Sequence, residues 1–309
     1  MTGVPVSPPI LAIGASLCCA IALVALAHER TSTQRTSLRW TLRADGIAAR
    51  SSWPVILVAL SLGADTVVAS FAILSTAWLA TFLAAQRIRA SRDPVASGCC
   101  LLCVPLQYAF VVAGRYDLFA TIVPLMTVIA LPLWSLAQGE RRALVERVAE
   151  RHRGVMAFVY CASHLPALLM LEAAGRGPSA VGTLVFAALI ALATQCSYAV
   201  SITRAASRDA LHDPVPARIA RAAVVAAPAI VGVALSAITP FSPIVAGSLA
   251  SVAALAGAMG CRVLTCVRRD VSRANPGRES FVAVALRPDA LVFAAPAFFY
   301  TICALERFA

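Results

Sequence analysis

A succession of apolar runs, separated by short polar connections, constrains this chain more than any other feature. The runs are Pro8 to Ala27, Trp53 to Ala85, Cys99 to Ala113, Leu118 to Leu136, Val155 to Leu171, Val181 to Ile202, Ala220 to Ile238, Pro243 to Met259 and Ala290 to Leu305. Most approach the ~20 apolar residues that a helix needs to cross a hydrocarbon core. Within lipid the backbone satisfies its own polar groups only as helices or closed barrels. Gly63-Ala64-Asp65 divides the second run unequally, which predicts a tight hairpin of short or tilted helices. The expected fold is all-α, a polytopic membrane helix bundle of about 8–10 transmembrane helices.

The connections carry a second constraint. All 26 basic residues are Arg, giving a net charge of +11. If the chain starts outside and crosses at each run, 23 of these arginines fall in five segments on one side: His28 to Ser52, Gln86 to Gly98, Ala137 to Gly154, Thr203 to Ile219 with Arg221, and Cys261 to Asp289. Only Arg115, Arg176 and Arg307 remain for the other side. Basic short loops favour the cytoplasmic face, so the sequence predicts a multi-pass cell-membrane protein with its N-terminus outside and its basic loops cytoplasmic. No basic segment precedes the first run, which therefore reads as an uncleaved span rather than a signal peptide. Residues 1–52 are expected to form that span and a basic interfacial linker, and residues 53–309 the main transmembrane domain.

Composition excludes the alternatives. Charged residues make up 13% of the chain and mean hydropathy is +0.82, against about 25% charged residues in soluble domains. So apolar a chain buries too much surface to stay disordered. Its basic residues sit in short loops rather than on a soluble face with aromatic partners, so nucleic acid is not an expected partner. Arginine forks onto phosphate oxygens and suits anionic phospholipid headgroups or a nucleotide, although setting topology alone also accounts for these residues. Eight of the ten cysteines lie in apolar runs, where they act as small hydrophobes. Cys100-x-x-Cys103 has zinc-like spacing but no second pair.

A few polar residues stand out. Ser163 and His164 lie inside an apolar run, where a polar side chain is expensive; a carbonyl partner on another helix and a functional role explain His164 equally. Glu140, Glu146 and Glu150 interleave with Arg141, Arg142, Arg147 and Arg151 at helical spacing, which predicts a solvated helix. Arg268, Arg269 and Asp270 read as a positive-inside anchor or a phosphate site. Arg287 and Asp289 read as an interfacial ion pair or part of such a site.

The C-terminal third carries a resemblance. Thr239-Pro-Phe-Ser-Pro243 opens a span that runs to Gly260-Cys261-Arg262-Val263-Leu264-Thr265-Cys266-Val267-Arg268-Arg269-Asp270, and a basic loop leads to Leu286-Arg287-Pro288-Asp289 and Ala295-Pro296. This arrangement resembles the phosphatidate cytidylyltransferases, or CDP-diacylglycerol synthases, which join CTP to phosphatidic acid and release pyrophosphate. Ser51-Ser52-Trp53, Gly114-Arg115-Tyr116-Asp117 and Tyr160-Cys161-Ala162-Ser163-His164-Leu165-Pro166 extend the likeness across residues 50 to 305.

The resemblance implies phosphate or lipid binding by Thr265, Arg268, Arg269 and Arg287, and metal binding by Asp289 and Asp270. Magnesium would be the cofactor, and CTP the co-substrate, of an active member. The family's Ser is Thr265 here, and its Lys-Arg is Arg268-Arg269. Ala274-Asn275 replace Lys-Asp, Leu286 replaces an Asp, Cys261 replaces another, and Ala193-Thr194 stand for an Asn-Asp pair. Both reactants are anionic, and magnesium held by carboxylates neutralises their charge. The losses therefore predict binding of anionic lipid with little turnover, and no catalytic residue is assigned. A noncatalytic lipid-binding or partner-assembling scaffold is the second expectation and a membrane transporter the third. The sequence leaves oligomeric state open, a homo-oligomer included.

Overall fold

A computed structural model describes residues 63–85, 94–138, 144–173, 180–205, 215–274 and 289–308. They form α1 (Ala64–Ala85), α2 (Pro94–Val112), α3 (Tyr116–Ala137), α4 (Leu144–Val155), a π-helix (Met156–Cys161), α5 (Ala162–Ala173), α6 (Ala180–Ala205) and α7 (Val215–Ala234). A 3-10 turn (Leu235–Ile238), α8 (Pro243–Ala274) and α9 (Asp289–Phe308) complete the order. No strand occurs among the described residues.

Six helices are long and apolar enough to cross a membrane: Ala64–Leu83, Val95–Val112, Tyr116–Ala137, Gly182–Ile202, Arg218–Ile238 and Pro243–Val267. Asp289–Leu305 is a shorter apolar helix, and α4, the π-helix and α5 follow one another without a break. The expected first span and the first half of the Trp53 hairpin lie outside the described residues. Gly63 adopts φ 113° just before α1, so the expected break falls where glycine permits a left-handed backbone.

Side-chain contacts join neighbouring helices. Ser75 of α1 bonds Tyr108 of α2, Thr127 of α3 bonds His152 of α4, and Phe82 of α1 lies against Phe158. The core is one apolar cluster running through these helices, from Phe71, Leu79 and Phe119 to Phe186, Leu249 and Phe298. The outer faces are apolar too: Leu102, Leu133, Ile230 and Ile244 are all exposed, as expected where lipid is the solvent. Thr76, Thr81 and Thr121 donate their hydroxyls to carbonyls four residues back, which satisfies them within their own helices.

Two sequence expectations change. The apolar run beginning at Pro243 ends at Met259 and Cys261 to Asp289 reads as a basic connection, but α8 continues unbroken to Ala274. Arg262, Thr265, Arg268, Arg269 and Asp270 therefore stand on a helix, because no Gly or Pro intervenes between Gly260 and Pro276 to stop it. The charged segment Leu144–Val155 was expected to be solvated, yet Arg147 and Arg151 are only 4% and 7% exposed. They share a helical face with Gly154, where an added Cβ would come within 2.6 Å of the Phe82 ring. That face packs toward α1.

Candidate functional site

Two polar clusters interrupt the apolar interior. The first lies where α6, α8 and α9 meet, at the end of α9 that follows the basic connection. Gly257 and Gly260 form a notch on α8: a Cβ on Gly257 would lie 3.1 Å from the Ala290 carbonyl and 3.3 Å from Thr194, and one on Gly260 would lie 2.6 Å from the Asp289 carbonyl. The absence of side chains there lets the start of α9 rest on the α8 backbone. Asp289 is thereby drawn to 3% exposure at the first residue of α9, where a carboxylate is favoured by the helix dipole. On the adjoining surface Arg262 lies beside the Tyr198 hydroxyl of α6, with Cys261 and Asp289 within electrostatic reach of that hydroxyl.

The sequence-derived residues fall unevenly on this site. Thr265 is half-buried one turn beyond Cys261, and its hydroxyl donates to the Cys261 carbonyl at 2.6 Å. Its proton is thus held by its own helix. Arg268, Arg269 and Asp270 follow on α8, their side chains outside the described ones, and Arg287 lies outside the described residues altogether. Among the described residues no group of three or more His, Cys, Asp or Glu side chains is placed to hold a metal. Tyr198 and Arg262 were not singled out in the sequence. Only the Arg four residues after Ala258 within an apolar stretch hinted at them, because the Tyr–Arg pair joins two distant helices.

The second cluster surrounds Ser163 and His164, both fully buried in the first turn of α5. His164 Nδ1 lies 2.8 Å from the Tyr160 carbonyl. A carbonyl can only accept, so Nδ1 carries the proton and Nε2 of the neutral ring is left as an acceptor. Nε2 is buried with no hydrogen-bond partner. Rings of Phe119, Tyr160, Phe299 and Tyr300 enclose the imidazole at centroid distances of 4.7, 4.7, 5.3 and 5.2 Å.

Local sequence explains the cluster. Pro166, without an N–H, and the π-helix just before α5 both alter the backbone pairing around this turn. The Ser163 hydroxyl donates to the Tyr160 carbonyl at 2.7 Å, beside the imidazole. Tyr160 donates its own hydroxyl to the Ala120 carbonyl at 3.3 Å, which leaves Tyr300 as the donor in the 2.8 Å bond between the two phenols. Gln107 reaches in from α2, donating to Ser163 Oγ and the Phe119 carbonyl. The partner expected for His164 on another helix proves to be a carbonyl of its own helix, at Tyr160.

Among the described residues Cys99, Cys100, Cys103, Cys161, Cys196, Cys261, Cys266 and Cys303 form no disulfide, and Cys100 and Cys261 are buried as small hydrophobes. Asp65, at the first turn of α1, is exposed. No family model matches the chain, and neither a curated protein nor a solved structure matches it.

Proposed function

We propose that this multi-pass membrane protein binds an anionic phospholipid, or the phosphate end of a CDP-lipid or nucleotide, beside the α6–α8–α9 junction. In this reading it is a divergent relative of the phosphatidate cytidylyltransferases in phospholipid metabolism with little or no turnover. The observation that carries the reading is the seating of Asp289 on the Gly260 notch next to the Arg262–Tyr198 pair. The two segments of the resembling motif, far apart in sequence, supply that junction. Arg262 offers a guanidinium for phosphate oxygens, and the arginines further along α8 extend the same basic end.

The same residues support binding over catalysis. Nucleotidyl transfer between two anions rests on magnesium held by carboxylates, and the family's acidic positions are here Cys261, Thr194 and Leu286. Arginine binds phosphate but cannot hold a cation. The test is radiolabelled CTP incorporation into phosphatidic acid by purified protein in lipid micelles with magnesium, beside Asp289→Ala and a binding assay for phosphatidic acid. The expected result is no incorporation above background, with lipid binding that weakens in Arg262→Gln. Turnover abolished by Asp289→Ala would overturn the noncatalytic reading.

A further inference from the structure

The cluster at Ser163 and His164 contains acceptors that its own donors do not serve. Its side-chain protons are all committed: Ser163 and His164 Nδ1 give theirs to the Tyr160 carbonyl, Tyr160 to the Ala120 carbonyl, and Tyr300 to the Tyr160 oxygen. Gln107 turns its amide nitrogen to the Phe119 carbonyl and to Ser163, because the carbonyl can only accept and the Ser163 proton is already engaged. That orientation leaves Gln107 Oε1 buried with no hydrogen-bond partner, as is His164 Nε2.

Both side chains are 0% exposed, and a buried acceptor without a donor is costly. The two residues belong to one cluster. Phe119 receives Gln107 on its carbonyl at 3.2 Å and packs its ring 4.7 Å from the imidazole, while Ser163 takes a bond from Gln107 and precedes His164 in the chain. Gln107 stands about 18 Å along the span Val95–Val112 from its first residue, at the helical rise. At that depth the surrounding hydrocarbon supplies no donors.

What suits these two atoms is small, neutral and rich in donors. It must bring protons, so phosphate and carboxylate anions do not fit. It must be small, since both atoms it would serve are buried. The side chains around it, Ser163, Phe119, Tyr160, Phe299 and Tyr300, are uncharged and offer a cation no counter-charge. Water has two protons to give, and polar groups left over in a protein interior are its usual hosts.

We propose that the His164–Gln107 cluster is an internal hydration site within the membrane, where bound water donates to His164 Nε2 and to Gln107 Oε1. The water completes the tie between α2 and α5 that the bond from Gln107 to Ser163 begins. Phe299 and Tyr300 bring the middle of α9 to the site, about 15 Å along that helix from Asp289. The site therefore does not rest on the function proposed at the α6–α8–α9 junction.

The test is synchrotron radiolysis of the full chain in phosphatidylcholine nanodiscs, with oxidation of each side chain read by mass spectrometry. Radicals arise where water is held, so a buried ring beside bound water is oxidised and an equally buried ring in dry packing is not. Phe119 and Phe186 are 1% and 0% exposed. Phe119 should be oxidised at least fivefold faster, and both Gln107→Leu and His164→Phe should bring its rate down toward that of Phe186. Solid-state NMR of the unsubstituted protein in vesicles, with isotope-labelled histidine, gives a reading that needs no variant: magnetisation should pass from water protons to His164 Nε2. Oxidation of Phe119 at the rate of Phe186, a fast rate indifferent to either substitution, or no transfer from water would each overturn the proposal. Transfer from acyl-chain protons alone, or a water signal displaced by millimolar ammonium, would assign the site to a lipid or to a cation and overturn it as well.

Discussion

Gln107 of α2 donates to the Ser163 hydroxyl at 3.1 Å, one residue from His164 and across a helix interface. Ser163 in turn gives its proton to the Tyr160 carbonyl, so the two residues form a short chain of donors that ends on the backbone of the π-helix. Ser163→Ala should remove about 1 kcal/mol, in line with hydrogen bonds between membrane helices. A double-mutant cycle of Ser163→Ala with Gln107→Leu, read from thermal unfolding in detergent, should show clear coupling. Strict additivity would mean that the bond carries no stability.

The Gly260 notch gives a second expectation. A methyl group there would lie 2.6 Å from the Asp289 carbonyl and 2.6 Å from the Phe293 ring, and the backbone cannot turn aside as a side chain can. Gly260→Ala should cost about 1–3 kcal/mol, the usual range for overpacking. Gly98→Ala in α2 meets nothing within 4 Å and should instead stabilise the protein by about 0.5–1 kcal/mol through helix propensity. Equal effects of the two substitutions on unfolding temperature would contradict this contrast.

Glu150 predicts a dependence on pH. Burial pushes its carboxyl above the ordinary range, against the lowering effect of the Arg153 guanidinium; Glu146 adds to the rise and Arg151 opposes it. Because the folded value is the higher one, the unfolded chain gives up this proton first as pH rises. The folded state therefore loses stability through the window between the ordinary and the raised value, and its advantage is complete only below that window. Glu150→Gln should flatten this segment of the profile of unfolding temperature against pH. An unchanged slope would show that Glu150 titrates as in the unfolded chain.

The arginine pattern predicts sidedness. Cysteines placed singly at Ser91, Ser207 and Ser272 should all react with an impermeant thiol reagent from the cytoplasmic side, read as added mass over the parent protein. One of them reacting from the other side would break the assignment of the basic connections to a single face.

The helices were legible because each is built on an apolar run long enough to read directly, as Tyr116–Ala137 and Ala180–Ala205 illustrate. The extension of α8 to Ala274 was not, because a helix entering a basic segment loses the apolar signal while keeping its backbone bonds. The burial of Arg147 and Arg151 was hidden for a different reason: the cover comes from other helices, while the local spacing of charges is that of a solvated surface. His164 was marked by polarity alone. Its ring of Phe119, Phe299 and Tyr300 comes from α3 and α9, which no local pattern connects.

The glycines of α8 point in more than one direction. Gly247 faces α7, with Val233 2.8 Å from its would-be Cβ, whereas Gly257 and Gly260 face α9. Saturation mutagenesis scored by growth or expression would single out these three positions as intolerant of every larger residue. Their intolerance would measure clearance between neighbouring backbones and not participation in chemistry. Residues that bind phosphate should show the opposite signature, tolerating changes of size better than loss of charge, so the two kinds of constraint separate by which replacements survive.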